Sequence, residues 1–253
     1  MAEADAGRAG ALRFEMARLG RRTADHLRAG GLRRVGRQAV EKLGVYAAYQ
    51  PRRLGRGPTF LFDGREHHYF RHPYNATWRN ERAVEIPLAR AFLSRHTGDG
   101  LEVGNVLSHY GPVGHAVVDR YEPGPGVLNV DVLDYSAPDG LDYVVTISTL
   151  EHVGWDDEPQ DGHRAVEALD HLRRLLRPSG RLFVTCPIGH NPVLDERILE
   201  GEPPLGEQFL RRSRKGNRFA EIDRDRARAV EVVPGRTTVL WVAELGALPP
   251  PEG

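Results

Sequence analysis

From Leu101 onward the chain repeats one pattern: a short apolar run, then a loop or a helical stretch, then another apolar run. The runs are Leu101-Glu102-Val103, His115-Ala116-Val117-Val118, Val127-Leu128-Asn129-Val130, Tyr143-Val144-Val145-Thr146-Ile147 and Leu182-Phe183-Val184-Thr185. Runs this short and continuous are typical of strands covered on both faces, the habit of parallel sheets. Ala165 to Leu176 reads as a helix with Val166, Leu169, Leu172, Leu175 and Leu176 on one side, stopped by Pro178-Ser179-Gly180 just before the last run. Strand, helix and strand in that order predict an α/β, doubly wound, mostly parallel sheet. Ala229 to Val233 and Thr238 to Glu244, around Pro234-Gly235, read as an antiparallel pair at the C-terminal end.

The segment before Leu101 is of another kind. Leu12 to Leu27 and Leu32 to Tyr49 read as helices divided by Gly30-Gly31, and both are rich in arginine. Thr59 to Phe62 and Glu66 to Phe70, joined by Asp63-Gly64, read as a hairpin, the pair Asp-Gly being a strong two-residue turn signal. Ala83 to Arg95 reads as a further helix. Met1 to Gly10 has no apolar signal core, and no apolar run approaches membrane length, so a cytoplasmic protein is expected. Cys186 stands alone, which excludes an internal disulfide and a cysteine-cluster metal site. Thirty-five basic residues balance thirty-five acidic ones, so total charge argues against nucleic acid as partner.

In an open parallel sheet, ligands sit outside the carboxyl ends of the strands. Glu102 ends the first run and Gly104 permits a tight turn beside a ligand; Asp119 and Glu122 follow the second run, and Asp131 follows the third. Acids at three adjacent strand ends repel a phosphate-rich cofactor and suit a nucleoside carrying positive charge. Asp119 as a loop cap, and Asp131 as the residue fixing the turn before Tyr135, are the competing readings.

These residues resemble a class I S-adenosylmethionine-dependent methyltransferase between Arg82 and Gly189. The likeness is carried by Leu101-Glu102-Val103-Gly104, by Val117-Val118-Asp119-Arg120-Tyr121-Glu122, and by Asn129-Val130-Asp131-Val132. It continues through Leu141 to Val153, with its Leu150-Glu151-His152 exit, and the Leu176-Arg177-Pro178-Ser179-Gly180 turn. Val106 and Ser108 stand where that family has two further glycines. The resemblance implies a Rossmann-like, seven-stranded sheet with helices on both faces and an antiparallel C-terminal strand pair. It implies a cofactor-binding catalytic domain over 83–248 and a substrate-shaping insertion around 191–228, and the helices and hairpin before it are expected to form an N-terminal cap over residues 1–82. It implies S-adenosyl-L-methionine as cofactor. Glu102, Gly104 and Asn105 would hold its methionine end, Asp119 or Glu122 the ribose, and Asp131 and Val132 the adenine, with Ser148 or Thr149 lining the floor. The implied activity is O- or N-methylation of a small molecule: a sugar, a peptide or a secondary metabolite. A non-methylating cyclase or eliminating enzyme on the same scaffold, and a non-catalytic partner subunit, are the alternatives.

Methyl transfer asks the protein for alignment and for a base near working pH, and histidine fits that task best. His152 and His190, just past the fourth and fifth strands, are the candidate catalytic residues. His72, Tyr74, Trp78, Arg79, Trp155 and Asn191 are candidate substrate contacts. No helix carries a convincing metal-ligand spacing, so no metal is expected. The expected partner is a small-molecule substrate, with no membrane, and the expected assembly is a monomer or homodimer, a protein partner being compatible.

Overall fold

The computed structural model describes residues 40, 43–51, 57–204, 206–233 and 236–248. The chain divides into two compact units, Met1–Gly55 and Arg56–Gly253. In the first, α1 covers 43–51, overlapping the helix expected from Leu32 to Tyr49 and running two residues past its end; the helix expected from Leu12 to Leu27 lies outside the described residues. The second unit begins before the hairpin of β1 (Thr59–Phe62) and β2 (Arg65–His68). The hairpin therefore belongs to the same unit as the sheet. Among the described residues, no helix is long and apolar enough to cross a membrane.

The main sheet has eight strands: β3 (Gly100–Val103), β4 (Ala116–Val118), β5 (Val127–Leu128), β6 (Leu141–Ile147), β7 (Leu176–Pro187), β8 (Gln208–Arg212), β9 (Phe219–Ile222) and β10 (Val239–Gly246). Their spatial order is β5-β4-β3-β6-β7-β10-β8-β9. The five strands from β5 to β7 pair in parallel; β10 lies antiparallel to both β7 and β8, and β9 antiparallel to β8. The strand order, with its reversed next-to-edge strand, is that of a Rossmann-like methyltransferase sheet, and β9 is an added edge.

Two details correct the sequence reading. The antiparallel partner of β10 is not Ala229 to Val233, where only a single bridge joins Val233 to Arg236. Both edges of β10 are already taken by β7 and β8, so no edge is left for that segment. The region expected as an insertion at 191–228 supplies β8 and β9, and with them part of the sheet.

Side chains alternate across the central strands, as a period of two requires. Leu182 and Val184 of β7, with Trp241, Ala243 and Leu245 of β10, face one side. There they pack on Ala165, Ala168, Leu169 and Leu172 of α3 (His163–Arg174) and on Leu194 and Ile198 of α4 (Pro192–Leu199). Phe183 of β7, with Leu240 and Val242 of β10, faces the other side and packs on Val84, Ile86 and Phe92 of α2 (Arg82–Leu93). The helix α5 (Arg224–Arg228) completes the chain order. Burying a leucine or phenylalanine fully is worth roughly 1.5–3 kcal/mol, so the two clusters hold the sheet from both faces.

The half of the sheet from β3 to β5 is lightly built. The link from β3 to β4 holds only a 3-10 turn at Leu107–His109, and that from β5 to β6 only one at Val132–Asp134. Polar side chains, not helices, organise these loops.

Candidate active site

The strand order diverges at β3 and β6, with β4 and β5 to one side and β7 to the other. That divergence is where doubly wound sheets open a crevice. Gly104 follows β3 with φ at 84°, and its N–H donates to the Val118 carbonyl at 2.8 Å. A Cβ there would lie 2.2 Å from Thr149 Oγ1, so glycine is needed for both the backbone and the close approach of Thr149.

Glu102 does not face this crevice. One of its oxygens accepts the N–H groups of Val106 at 2.9 Å and Leu107 at 2.7 Å, and the other meets His115 Nε2 at 3.0 Å. Its side chain has no exposed surface. The expectation that it holds a cofactor is corrected: a buried carboxylate satisfies loop donors that lack a helix to receive them.

Asp119 caps its loop, accepting from Asn105 N at 2.9 Å, Tyr121 N at 2.9 Å and Glu122 N at 2.7 Å. It is half-buried. Oδ2 takes one of these donors and a carboxylate oxygen can take two, so a ribose hydroxyl still has an acceptor. Asn105 is buried and its side-chain oxygen accepts from Ser108. Glu122 Oε2 lies 3.3 Å from His109 Nε2, and the His109 ring stacks on Tyr74 with centroids 4.2 Å apart. Tyr74, expected as a substrate contact, is thereby joined through His109 to Glu122. Asp131 caps the turn that holds buried Val132, through Leu133 N at 3.0 Å. Its Oδ2 pairs with Arg164 at 2.8 Å and Arg120 at 3.1 Å, so for both Asp119 and Asp131 the turn-fixing role is realised.

Past β6 the backbone is strained. Ser148 has φ of 40°, in a region that non-glycine residues rarely adopt. Its hydroxyl donates to Glu85 instead of pointing at a ligand. Glu85 is fully buried, accepts from Thr185 Oγ1 at 2.7 Å, and pairs with Arg82 at 2.6 Å. Burial pushes its carboxyl up, against the pull of Arg82.

Above this network opens a cleft of about 670 Å³ whose walls include Arg82, Ser148, Glu151, His152, His190 and Arg236. The two candidate catalytic histidines meet here, their rings 4.4 Å apart. Asp156 bridges them, at 2.6 Å from His152 Nδ1 and 3.2 Å from His190 Nε2. Burial raises the Asp156 carboxyl, but the two histidine hydrogen bonds outweigh it and hold it below its ordinary value. A carboxylate can only accept, so Nδ1 of His152 carries the proton and a neutral ring keeps its lone pair on Nε2. These three side chains also offer one donor atom each within 4.8 Å of one another, a set able to hold a divalent ion. Its third member, His190, comes from a separate loop, so no single run of sequence displays the set.

Glu151 is the functional group that the sequence reading passed over. It is 2% exposed, lines the cleft, and its Oε2 has no hydrogen-bond partner. Burial pushes its carboxyl well above the usual range, and Oε1 lies 3.8 Å from His152 Nε2. An acid beside the candidate histidine was a visible signal, though half of a helix or strand exit points away from any site.

The remaining candidates divide. Arg79 lines the cleft, with its guanidinium 5.9 Å from the Trp78 ring centre. His72 stacks on Phe70 and accepts from Tyr74 N at 3.2 Å; burial, then Arg90 and His109, push it down to about 4. Trp155 is half-buried against the start of α3. Asn191 is fully buried and caps α4 through Val193 N at 3.1 Å and Leu194 N at 3.2 Å, its amide donating to the Gly162 carbonyl. It has no surface to offer a substrate, which corrects that expectation.

No protein-family model matches the chain. No curated protein matches it either. Solved structures do. The N-methyltransferase NodS from Bradyrhizobium japonicum WM9 matches at 15% identity, over 66% of this chain and 97% of that one, with a TM-score of 0.38. Its complex with S-adenosyl-L-homocysteine matches at 20% identity over 42% and 61%, with a TM-score of 0.31, so this match spans less than two thirds of that chain. The DhpI complex with the same molecule matches at 15% over 63% and 82%, at 0.33. A precorrin 8w decarboxylase from Methanobacterium thermoautotrophicum matches at 16% over 71% and 97%, also at 0.33. Similarity of this order transfers neither activity nor substrate, and the fold assignment rests on the strand order itself.

Proposed function

We propose that this protein is an S-adenosylmethionine-dependent methyltransferase that methylates an oxygen or nitrogen of a small molecule. The observation that carries the reading is the crevice at the divergence of β3 and β6. It is flanked by a left-handed glycine and by strand-end acids, and Ser148, one residue before the Thr149 that packs on Gly104, lines the cleft holding the paired histidines. No arginine or lysine lies between Gly104 and Gly114, so nothing in that turn neutralises a pyrophosphate. Asp119 and Glu122 instead suit a cationic nucleoside, Asp131 being already paired with Arg164 and Arg120, with Gly104 and Asn105 beside its amino-acid end and Thr149 beneath it. When bound, the cofactor supplies a methyl group activated by its positive sulfur.

The chain's own work is then alignment and proton handling. His152, oriented by Asp156 through Nδ1, takes the acceptor's proton at Nε2. Glu151 beside it sets the charge around that ring. His190 shares Asp156 and faces the same cleft. A cytoplasmic enzyme, monomer or homodimer, is the corresponding reading of location and assembly.

Calorimetric titration of the full chain with S-adenosylmethionine and with S-adenosylhomocysteine tests the cofactor. Micromolar binding, weakened at least tenfold by Asp119→Ala in a protein that still melts cooperatively, is the expected result. Absence of binding to folded wild type overturns the assignment.

A further inference from the structure

The cleft that holds His152 and His190 also collects Arg79, Arg212, Arg214 and Arg236. Among the described residues no carboxylate forms an ion pair with any of the four. Arg212 donates to the Arg79 carbonyl, and Arg236 donates to the carbonyls of Ser213 and Arg214. Those bonds fix the two guanidinium planes without neutralising them. The Nε–H of Arg212 and the Nε–H of Arg236 are both buried and have no acceptor. Burial, and after it the neighbouring charge of Arg236, lower the pKa of Arg212. Among the acids of the cleft, Glu81 pulls the other way without offsetting these two effects, and Glu151 is held toward its neutral form by burial.

Two fixed guanidinium groups with buried, unsatisfied donors repel each other unless something negative lies between them. Arginine forks match the oxygens of a carboxylate or a phosphate, and such charge-assisted bonds are about twice as strong as neutral ones. We infer that Arg212 and Arg236 form an oxyanion-binding subsite, and that the molecule taken into this cleft is an acidic one, a carboxylate or a phosphate ester. As a statement about substrate this rests on the proposed methyltransferase activity; as a statement about binding it does not. The subsite and the histidine pair line one cleft of about 670 Å³, a volume that accommodates one compact molecule. The anion would anchor at the arginines and present a hydroxyl or amine toward His152.

The test is a titration of the full chain with inorganic phosphate and, separately, with acetate, followed by amide chemical shifts. No cofactor is present, and total ionic strength is held constant with chloride. Saturable binding of one or both ions in the millimolar range is expected, with shifts near Arg212 and Arg236. Saturation by phosphate alone assigns a phosphate ester, and saturation by acetate alone assigns a carboxylate. Arg236→Gln is expected to weaken the binding at least tenfold while leaving the affinity for S-adenosylmethionine within twofold. Arg212 also braces the Arg79 carbonyl, so Arg214→Gln on the exposed rim serves as the milder variant, with an expected loss of two- to fivefold. No saturable binding of either ion to wild type overturns the inference, as does equal binding by wild type and Arg236→Gln. Failure to bind S-adenosylmethionine with anion binding intact overturns the methyltransferase reading alone.

Discussion

Asp195 shows how one side chain reports its surroundings. Burial raises its carboxyl to about 6, against a hydrogen bond from Gly189 N at 2.8 Å, and its Oδ1 is buried without a partner. A carboxyl whose folded pKa is raised binds its proton more tightly when folded. Stability is then fully present below the unfolded value near 4 and falls as pH rises through about 6. Each unit is worth about 1.4 kcal/mol, and screening at this partly exposed site reduces the total to about 1 kcal/mol. Asp195→Asn keeps the acceptor for Gly189 and removes the titration. Its stability relative to wild type is expected to be about 1 kcal/mol better at pH 8 than at pH 4, read from urea melts of both proteins; a pH-independent difference would refute the linkage. Glu151 offers the companion test on activity. Its ionisation places a negative charge 3.8 Å from His152, so the wild-type rate profile should carry its titration as a separate limb. Glu151→Gln is expected to remove that limb, and His152→Ala to lower kcat by about 10²-fold or more. An unchanged pH profile in Glu151→Gln would detach Glu151 from the chemistry.

At the scale of elements, α4 depends on one residue that looked functional in the sequence. Asn191 accepts from two N–H groups of the first turn and ties that turn to Gly162 at the start of α3. Asn191→Ala is expected to cost about 1–2 kcal/mol from the lost cap, and more from the orphaned Gly162 carbonyl, with the melting temperature as the measure. A loss of activity without loss of stability would instead restore it as a substrate contact. The same comparison shows where sequence patterns speak. The strands β3, β4, β6 and β7 were legible because burial on both faces demands unbroken apolar runs. The strands β8 and β9 were not, because Gln208-Phe209-Leu210-Arg211-Arg212 and Phe219-Ala220-Glu221-Ile222 lie near the sheet edge and carry polar residues on one face. Edge position also misled the choice of partner for β10, since Pro234-Gly235 reads as a hairpin turn whatever the sheet beyond it. The crevice acids were legible as strand-end residues, yet their engagement was not. Whether a carboxylate meets a ligand or a loop N–H depends on the missing helix after β3, a feature of three dimensions.

For the whole molecule, balanced total charge conceals local imbalance. Arg79 and Arg236 are far apart in sequence and converge only because β8 and the loop before β10 fold against the turn after His72, so no window of sequence displays the cationic cleft. The crevice lies on the lightly built half of the sheet, where loops held by Glu102, Asp119 and Asp131 replace helices. A ligand spanning β3 to β6 would bridge those loops and would bind only the folded chain. Mass action then fixes the consequence: at a hundredfold excess over the dissociation constant, stability rises by about 2.7 kcal/mol. For a unit of this size that corresponds to a rise in melting temperature of about 5–10 °C. S-adenosylhomocysteine is expected to give this rise in wild type, and Asp119→Ala to show about half of it or less at the same ligand concentration. Phosphate, binding on the other half of the sheet, is expected to add its own smaller rise in both proteins. Equal shifts in wild type and Asp119→Ala would remove Asp119 from the cofactor site, while a shift with phosphate and none with S-adenosylhomocysteine would leave an acid-binding cleft without a methyl donor.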